Sequence, residues 1–356
     1  MISVYLVGTA LWILFVGAFY QGWATRLDDD RHSPPGQLID TGQYRMHLHT
    51  SGEGAITVLL DAGLGGTSLG WSLVQSEVAK FTRVCSFDRP GYGWSDRAPS
   101  ARTSLHIAQE VHTLLEKADI PPPYLLVGHS FGGCNMLMLA DLYPEETLGV
   151  ILVDSVHEDM LKELPSPPQG VFDALMSHPQ LHYFLSLIGY KRIKGPSLEI
   201  QRMLHPLPED VQKSYIAQMN KARYTETVHR EMEALKASLG QLSERKVHLQ
   251  HKPLVVITAG ILPDGEEGKS WRQLQNRLLS KSTRAQQIMA ENSDHMINHH
   301  QPDVIVEAIR AMMETLTEAL PPPNSLSPRD RCRTPPTPGY SDQATRGQRH
   351  LPVDLM

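Results

Sequence analysis

Tyr124-Leu125-Leu126-Val127-Gly128-His129-Ser130-Phe131-Gly132-Gly133 is the stretch on which the reading of this chain turns. An apolar run of strand length (124–127) enters a Gly-x-Ser-x-Gly turn. Residues 131–142, rich in small and apolar side chains, then continue as a helix. The bare five-residue pattern arises by chance. Its meaning comes from the strand before it and the helix after it, which together make a sharp elbow at the carboxyl edge of a sheet. Glycine on both sides permits a turn tight enough to lift the Ser130 hydroxyl clear of the backbone, so Ser130 reads as a nucleophile.

A serine nucleophile needs a base, and the base needs a carboxylate to orient it. His295, in Asn292-Ser293-Asp294-His295-Met296, lies between an expected last strand (285–290) and a terminal amphipathic helix (304–316), which makes it the expected base. His299 and His300 fall near the start of that helix, and His129 reads as pocket wall. Asp264 is the first choice of acid, because it follows the strand 254–258 and the turn Ala259-Gly260. Asp154, at the end of the strand 150–153, is the alternative acid. Donors for a developing oxyanion are expected from the backbone N–H groups of Leu64, in Gly63-Leu64-Gly65-Gly66, and of Phe131.

Working outward, short apolar segments at 56–60, 83–87, 124–127, 150–153 and 254–258 alternate with helical patterns such as 104–117. That alternation predicts an α/β fold, a mostly parallel sheet covered by helices on both faces. A polar-faced segment at 44–49 adds a half-buried strand. Residues 158–251 break the rhythm with helical patches at 171–176, 181–188 and 211–239, and are expected to form an inserted cap. The core is therefore expected over 40–157 and 252–318. Residues 319–356 read as a disordered proline-rich tail, eight of the last 36 residues being proline. The turn Asp88-Arg89-Pro90-Gly91-Tyr92-Gly93-Trp94-Ser95-Asp96 reads as a structural brace.

The formal charge of −6 offers no basic field for a nucleic-acid backbone. The three cysteines are too scattered for a disulfide framework or a zinc site. The histidine pairs His47/His49 and His299/His300 lack complementary ligands, so no metal and no cofactor are expected. A mean hydropathy of −0.27 describes a soluble chain but conceals its first residues. Residues 2–20 carry no charge and would cover about 28 Å as a helix, close to one hydrocarbon layer. Residues 1–24 are thus expected to be a single-pass anchor in a lipid bilayer, with signal-peptide cleavage after Ala24 as the alternative.

These motifs resemble the α/β-hydrolase fold family over residues 40–160 and 250–318, in its serine-nucleophile, esterase- or lipase-like branch. The family's chain order of serine, acid and histidine is matched by Ser130, Asp264 and His295, and its second motif by the Asp88–Ser95 turn. The resemblance also marks Asp154, since some members place the acid at that strand end. Two departures stand out: the histidine of the family's oxyanion loop is absent from Ala62-Gly63-Leu64-Gly65, and Asp294 replaces a glycine before the base. Epoxide hydrolases and haloalkane dehalogenases of this fold carry aspartate at the elbow, where this chain has Ser130. The implied activity is cleavage of a carboxylic ester, the substrate being a small, acyl or lipid-like molecule. Amide or peptide hydrolysis, for which Glu209, Asp210, Glu226 and Glu231 are candidate amine-binding acids, is the first alternative. A non-catalytic binding protein is the second.

Overall fold

In a computed structural model describing residues 1–164 and 178–319, Met1–Thr315 forms one compact unit. The expected helix at 171–176 lies outside the described residues, as does the tail beyond 319. Leu316–Ala319, the last turn of the helix Pro302–Ala319, belongs to a second unit.

Eight strands build one sheet: β1 (Gln37–Asp40), β2 (Arg45–Ser51), β3 (Thr57–Asp61), β4 (Arg83–Phe87), β5 (Tyr124–His129), β6 (Thr147–Val153), β7 (Pro253–Ala259) and β8 (Arg284–Ala290). Their order is β1-β2-β4-β3-β5-β6-β7-β8. The β1–β2 and β2–β4 pairs are antiparallel and the others parallel. Every residue of β3 and β5 is buried, as two-sided helical cover requires of central parallel strands. β1 was not legible in the sequence: its four residues are mostly exposed on the sheet's edge, so burial writes no pattern into them.

The first helix, α1 (Ile2–Arg31), lies outside the sheet, and three helices frame the sheet and its site: α2 (Ser72–Val78), α3 (Ser104–Lys117) and α4 (Phe131–Leu142). α3 starts at Thr103, whose side chain caps the His106 N–H, and buries Ile107, Ala108, Val111, Leu114 and Leu115 along one stripe. α4 is buried along almost its whole length, which explains its small and apolar composition.

Between β6 and β7 the described chain is helical, as expected of a cap. The segment expected as one helix over 211–239 is two, Glu209–Met219 and Ala222–Arg245. Lys221 between them takes an extended conformation (φ −74°, ψ 137°), and the Asn220 carbonyl freed there accepts a hydrogen bond from Gln21 Nε2 at 2.7 Å. α1 runs well past the apolar segment, to Arg31. Its last turns dock on the cap through Arg192–Asp28 (2.5 Å) and Lys221–Asp29 (2.6 Å). Ala24, the cleavage point of the alternative signal-peptide reading, is buried within this continuous helix.

Candidate active site

The carboxyl ends of adjacent parallel strands gather the site, as expected for an open α/β sheet. The loop 62–66 leaves β3, Ser130 follows β5, Asp154 follows β6, and His295 comes after β8. Ser130 has φ 53° and ψ −120°, a left-handed conformation that a non-glycine residue holds only under surrounding constraint. The constraint is visible: the Ser130 N–H extends the β5–β6 ladder to the Val153 carbonyl at 3.0 Å. Its own carbonyl accepts from the N–H groups of Val156 and Gly133, each at 3.1 Å, and from Ser155 Oγ at 3.2 Å. Gly128 and Gly132 are obligatory here. A Cβ on Gly128 would stand 2.5 Å from the Gly132 carbonyl oxygen, and one on Gly132 would press closer still on that of Asp61.

Asp154 turns by the same device. Its N–H continues the ladder to the Ile257 carbonyl at 2.7 Å, and then φ flips to 41°. Asp154 Oδ2 accepts from His295 Nδ1 at 2.7 Å, while Oδ1 accepts from the Ala259 N–H at 3.1 Å and from Trp271 Nε1 at 3.0 Å. Burial alone would raise this carboxyl. The His295 hydrogen bond and charge, with the two other donors, outweigh burial and hold it below the ordinary carboxylate range. The His295 side chain is 44% exposed, so its ring combines a buried orienting partner with an open edge.

The structure therefore pairs His295 with Asp154, the alternative acid, and not with Asp264. Asp264 is exposed on the loop that precedes the helix Glu266–Leu278. That helix still serves the site, because it carries Trp271, whose indole N–H holds Asp154 and whose ring meets His295 edge-on at 5.9 Å. Trp271 escaped the sequence reading. Its signal was that it is the one aromatic side chain in an otherwise strongly polar helix.

His129 stands behind the base. Its Nε2 donates to the His295 carbonyl at 2.8 Å, and the two rings lie 4.8 Å apart. Full burial, reinforced by the charge of His295, lowers its pKa to about 3, so it stays neutral and keeps that tautomer. His299, near the start of the terminal helix, is buried, with Nδ1 donating to the Met203 carbonyl at 2.8 Å. Asp294 turns away from the base and accepts from the Met296 N–H at 2.9 Å and His300 Nδ1 at 2.7 Å.

The loop after β3 passes directly over the elbow. A Cβ on Gly63 would meet Ser130 Cβ at 3.0 Å and His129 Nδ1 at 3.1 Å. Leu64, next along, is half-buried beside it. Phe131 is the first residue of α4, where N–H groups have no acceptor within the helix. Arg89 fixes this loop from below, donating to the Ala62 carbonyl at 2.6 Å and the Gly63 carbonyl at 2.9 Å. The same guanidinium pairs with Asp61 at 2.6 Å and, through two nitrogens, with Glu231 of the cap helix Ala222–Arg245 at 2.7 and 2.9 Å. Tyr92 Oη donates to Glu231 at 2.9 Å and accepts from the Gly65 N–H at 3.2 Å, and Tyr224 Oη donates to the Gly65 carbonyl at 2.9 Å. The Asp88–Asp96 turn thus braces the Gly63–Gly66 loop against the cap.

Among the acids considered for an amine, Glu231 is held by Arg89 and Tyr92, Glu226 pairs with Arg97 at 2.8 Å, and Glu209 pairs with Lys213 at 2.6 Å. Asp210 lines a polar surface cleft shared with His32 and Lys213. Among the described residues, no group of three or more His, Cys, Asp or Glu side chains could hold a metal ion.

A family model described as "Alpha/beta hydrolase family" matches residues 58–308. Among curated proteins, the chain is 26% identical over 262 residues to the Bacillus subtilis "Uncharacterized protein YqjL", covering 73% of this chain and 85% of that one. It is 32% identical over 110 residues to a "Pimeloyl-[acyl-carrier protein] methyl ester esterase" of Hamiltonella defensa, covering 31% of this chain and 40% of the relative. Among solved structures it is similar to "Epoxide hydrolase CorEH without ligand", with a TM-score of 0.60 at 17% identity over 79% of this chain and 98% of that chain, a likeness of fold alone. With a mostly parallel sheet, an inserted helical cap and a matching family model over most of its length, the chain belongs to the alpha/beta hydrolase family.

Proposed function

We propose that this protein is a serine hydrolase that cleaves a carboxylic ester through an acyl-enzyme. The observation that carries the reading is a pair of features at the sheet's carboxyl edge: Ser130 on a strained elbow, and a His295 ring whose Nδ1 is held by buried Asp154 at 2.7 Å. With Nδ1–H bound to the carboxylate, Nε2 is left as the basic nitrogen. It takes the Ser130 proton as Oγ bonds to the acyl carbon. The carbonyl oxygen gains charge facing the Leu64 and Phe131 N–H groups, and collapse expels the alcohol with the proton from Nε2. Water, deprotonated by His295 Nε2, then attacks the acyl carbon; the bond to Ser130 Oγ breaks, Oγ takes that proton back from Nε2, and the acid product is freed. Asp154 holds the ring and stabilises its charged form during both steps. The esterase named among the relatives supports an ester as the bond cleaved.

The same reading keeps α1 as an uncleaved membrane anchor. Its apolar window has a mean hydropathy of 1.8 with none of it buried, and the helix continues unbroken into the cap-bound turns at Asp28 and Asp29.

The test is fluorophosphonate labelling of the full chain in detergent, followed by product analysis on matched ester, amide and epoxide substrates. Labelling lost in Ser130→Ala, with acid and alcohol released from the ester, is the expected result. Equal labelling of Ser130→Ala and wild type would overturn the serine mechanism. Amine release with esters untouched would move the reading to amide hydrolysis.

A further inference from the structure

The cap carries apolar side chains that face outward. Phe184 and Leu187, on the helix Pro179–Leu187, are 43% and 40% exposed, and Tyr190 and Ile193, on the helix Tyr190–Lys194, are 48% and 72% exposed. Exposure on this scale gives these side chains no full part in the cap's core. Their place relative to α1 gives them another role. The Ile188 carbonyl oxygen lies 2.7 Å from where a Cβ on Gly17 would stand, and a Cβ on Gly189 would lie 3.1 Å from the Tyr20 ring. Arg192 bonds both Gln21 and Asp28. The cap tip therefore flanks α1 from Gly17 onward.

The length of α1 then decides the depth of that tip. From Ser3 to Val16 its side chains project away from the rest of the molecule, exposed except for half-buried Leu14. That free segment spans roughly 21 Å at 1.5 Å per residue, against a hydrocarbon layer of about 30 Å. To cross, α1 must also bring some six further residues, Gly17 to Gly22, into the layer or its boundary. Those are the residues beside Ile188 and Gly189. The charged pairs Arg192–Asp28 and Lys221–Asp29 fall about two turns beyond Gly22, at the level of headgroups and water.

We infer that the cap tip is a second membrane-contacting element: Phe184, Leu187, Tyr190 and Ile193 enter the bilayer interface beside α1, with exposed Lys194 reaching the headgroups. This rests on the reading of α1 as a membrane anchor. The occupant of the patch is lipid, because continuity with α1 places it at the layer's boundary and exposed Lys194 beside it suits an anionic surface.

The full chain carrying Cys332→Ser, its remaining Cys85 and Cys134 being buried, would take an environment-sensitive fluorophore at one introduced cysteine. The sites are Trp12→Cys on the anchor, Phe184→Cys and Ile193→Cys on the cap, and Lys269→Cys on an exposed helix as control. Each is reconstituted into phosphatidylcholine–phosphatidylglycerol vesicles with and without brominated lipid. Quenching at 184 and 193 at least twofold above that at 269, together with strong quenching at 12, is expected. Strong quenching at 12 with 184 and 193 matching 269 would overturn the inference while leaving the anchor intact. No quenching at 12 would remove the anchor, and the inference with it.

Discussion

Replacing Glu231 by leucine tests whether the cap and the Gly63–Gly66 loop are held as one unit. The Glu231 carboxylate is fully buried and accepts three hydrogen bonds: two from Arg89, at 2.7 and 2.9 Å, and one from Tyr92 at 2.9 Å. Burial pulls the Arg89 pKa down, but Glu231 and Asp61 together hold it well above its ordinary value, so the guanidinium stays charged. Glu231→Leu leaves that buried charge with Asp61 as its one acidic partner and strands the Arg89 Nε and Tyr92 donors. Removing one partner of a buried pair costs about 3–5 kcal/mol. At about 2–4 °C per kcal/mol for a domain of a few hundred residues, the midpoint of thermal unfolding should fall by roughly 6–20 °C. Arg89→Met should cost a similar amount, because it strands Glu231, Asp61 and the carbonyls of Ala62 and Gly63. The double variant removes both charges. Asp61, already pushed up by burial, then takes a proton and keeps its hydrogen bond from Asn135 at 2.8 Å. Its loss should therefore fall short of the sum of the singles by about 2–3 kcal/mol, within the range for residues sharing one network. Urea denaturation of the full chain, followed by circular dichroism, measures all three. Additivity within about 0.5 kcal/mol would refute the claim that Arg89 and Glu231 act together. Fluorophosphonate labelling should slow in folded Glu231→Leu, since a loosened Gly63 carbonyl no longer aims the Leu64 N–H.

Asp154→Asn should lower ester turnover by about 10⁴-fold, the scale set by the same change in a serine-protease triad, while Asp264→Asn stays within about twofold of wild type; the reverse ranking in steady-state rates would restore Asp264 as the acid. Trp271→Phe keeps the ring beside His295 but removes one donor to Asp154. The carboxyl's pKa should rise toward its ordinary value, and a carboxyl that titrates where it does in wild type, followed by carbon-13 NMR of labelled aspartate, would count against that hydrogen bond. His129, buried and neutral with its pKa near 3, binds fewer protons in the folded than in the unfolded chain, where an ordinary histidine titrates near pH 6.5. Its contribution to stability is full above that value and drains away as pH falls toward 3. Urea midpoints measured from pH 7 to pH 4 should fall less steeply in His129→Gln than in wild type, and parallel slopes would show that His129 is not held neutral.

Burial and backbone strain decide which parts of this molecule are legible in its sequence. β3 and β5 are buried on both faces, so their apolar runs stood out, and the elbow's glycines are required by backbone contacts that leave no room for a Cβ. The acid was harder because two strand ends offered carboxylates, and chain order says nothing of loop direction. Asp154 follows β6 without an intervening residue, and its N–H is still bound into the ladder, which fixes its carboxylate at the sheet's edge. Asp264 lies beyond Ala259 by several residues, far enough for the loop to swing outward, and neighbouring Glu266 is spent on an exposed bond to Lys269. Long-range partners left the faintest trace. Glu231 reads as one more acid on an amphipathic helix until Arg89, 142 positions away, is seen to meet it. The cost of burying a carboxylate is the reason to look for such partners: a charge on the inward stripe of a helix must be answered. Here the answer comes from the turn that also holds the Gly63–Gly66 loop. A change in the cap that shifts Glu231 is therefore expected to be felt at the backbone over Ser130 before any substrate is bound.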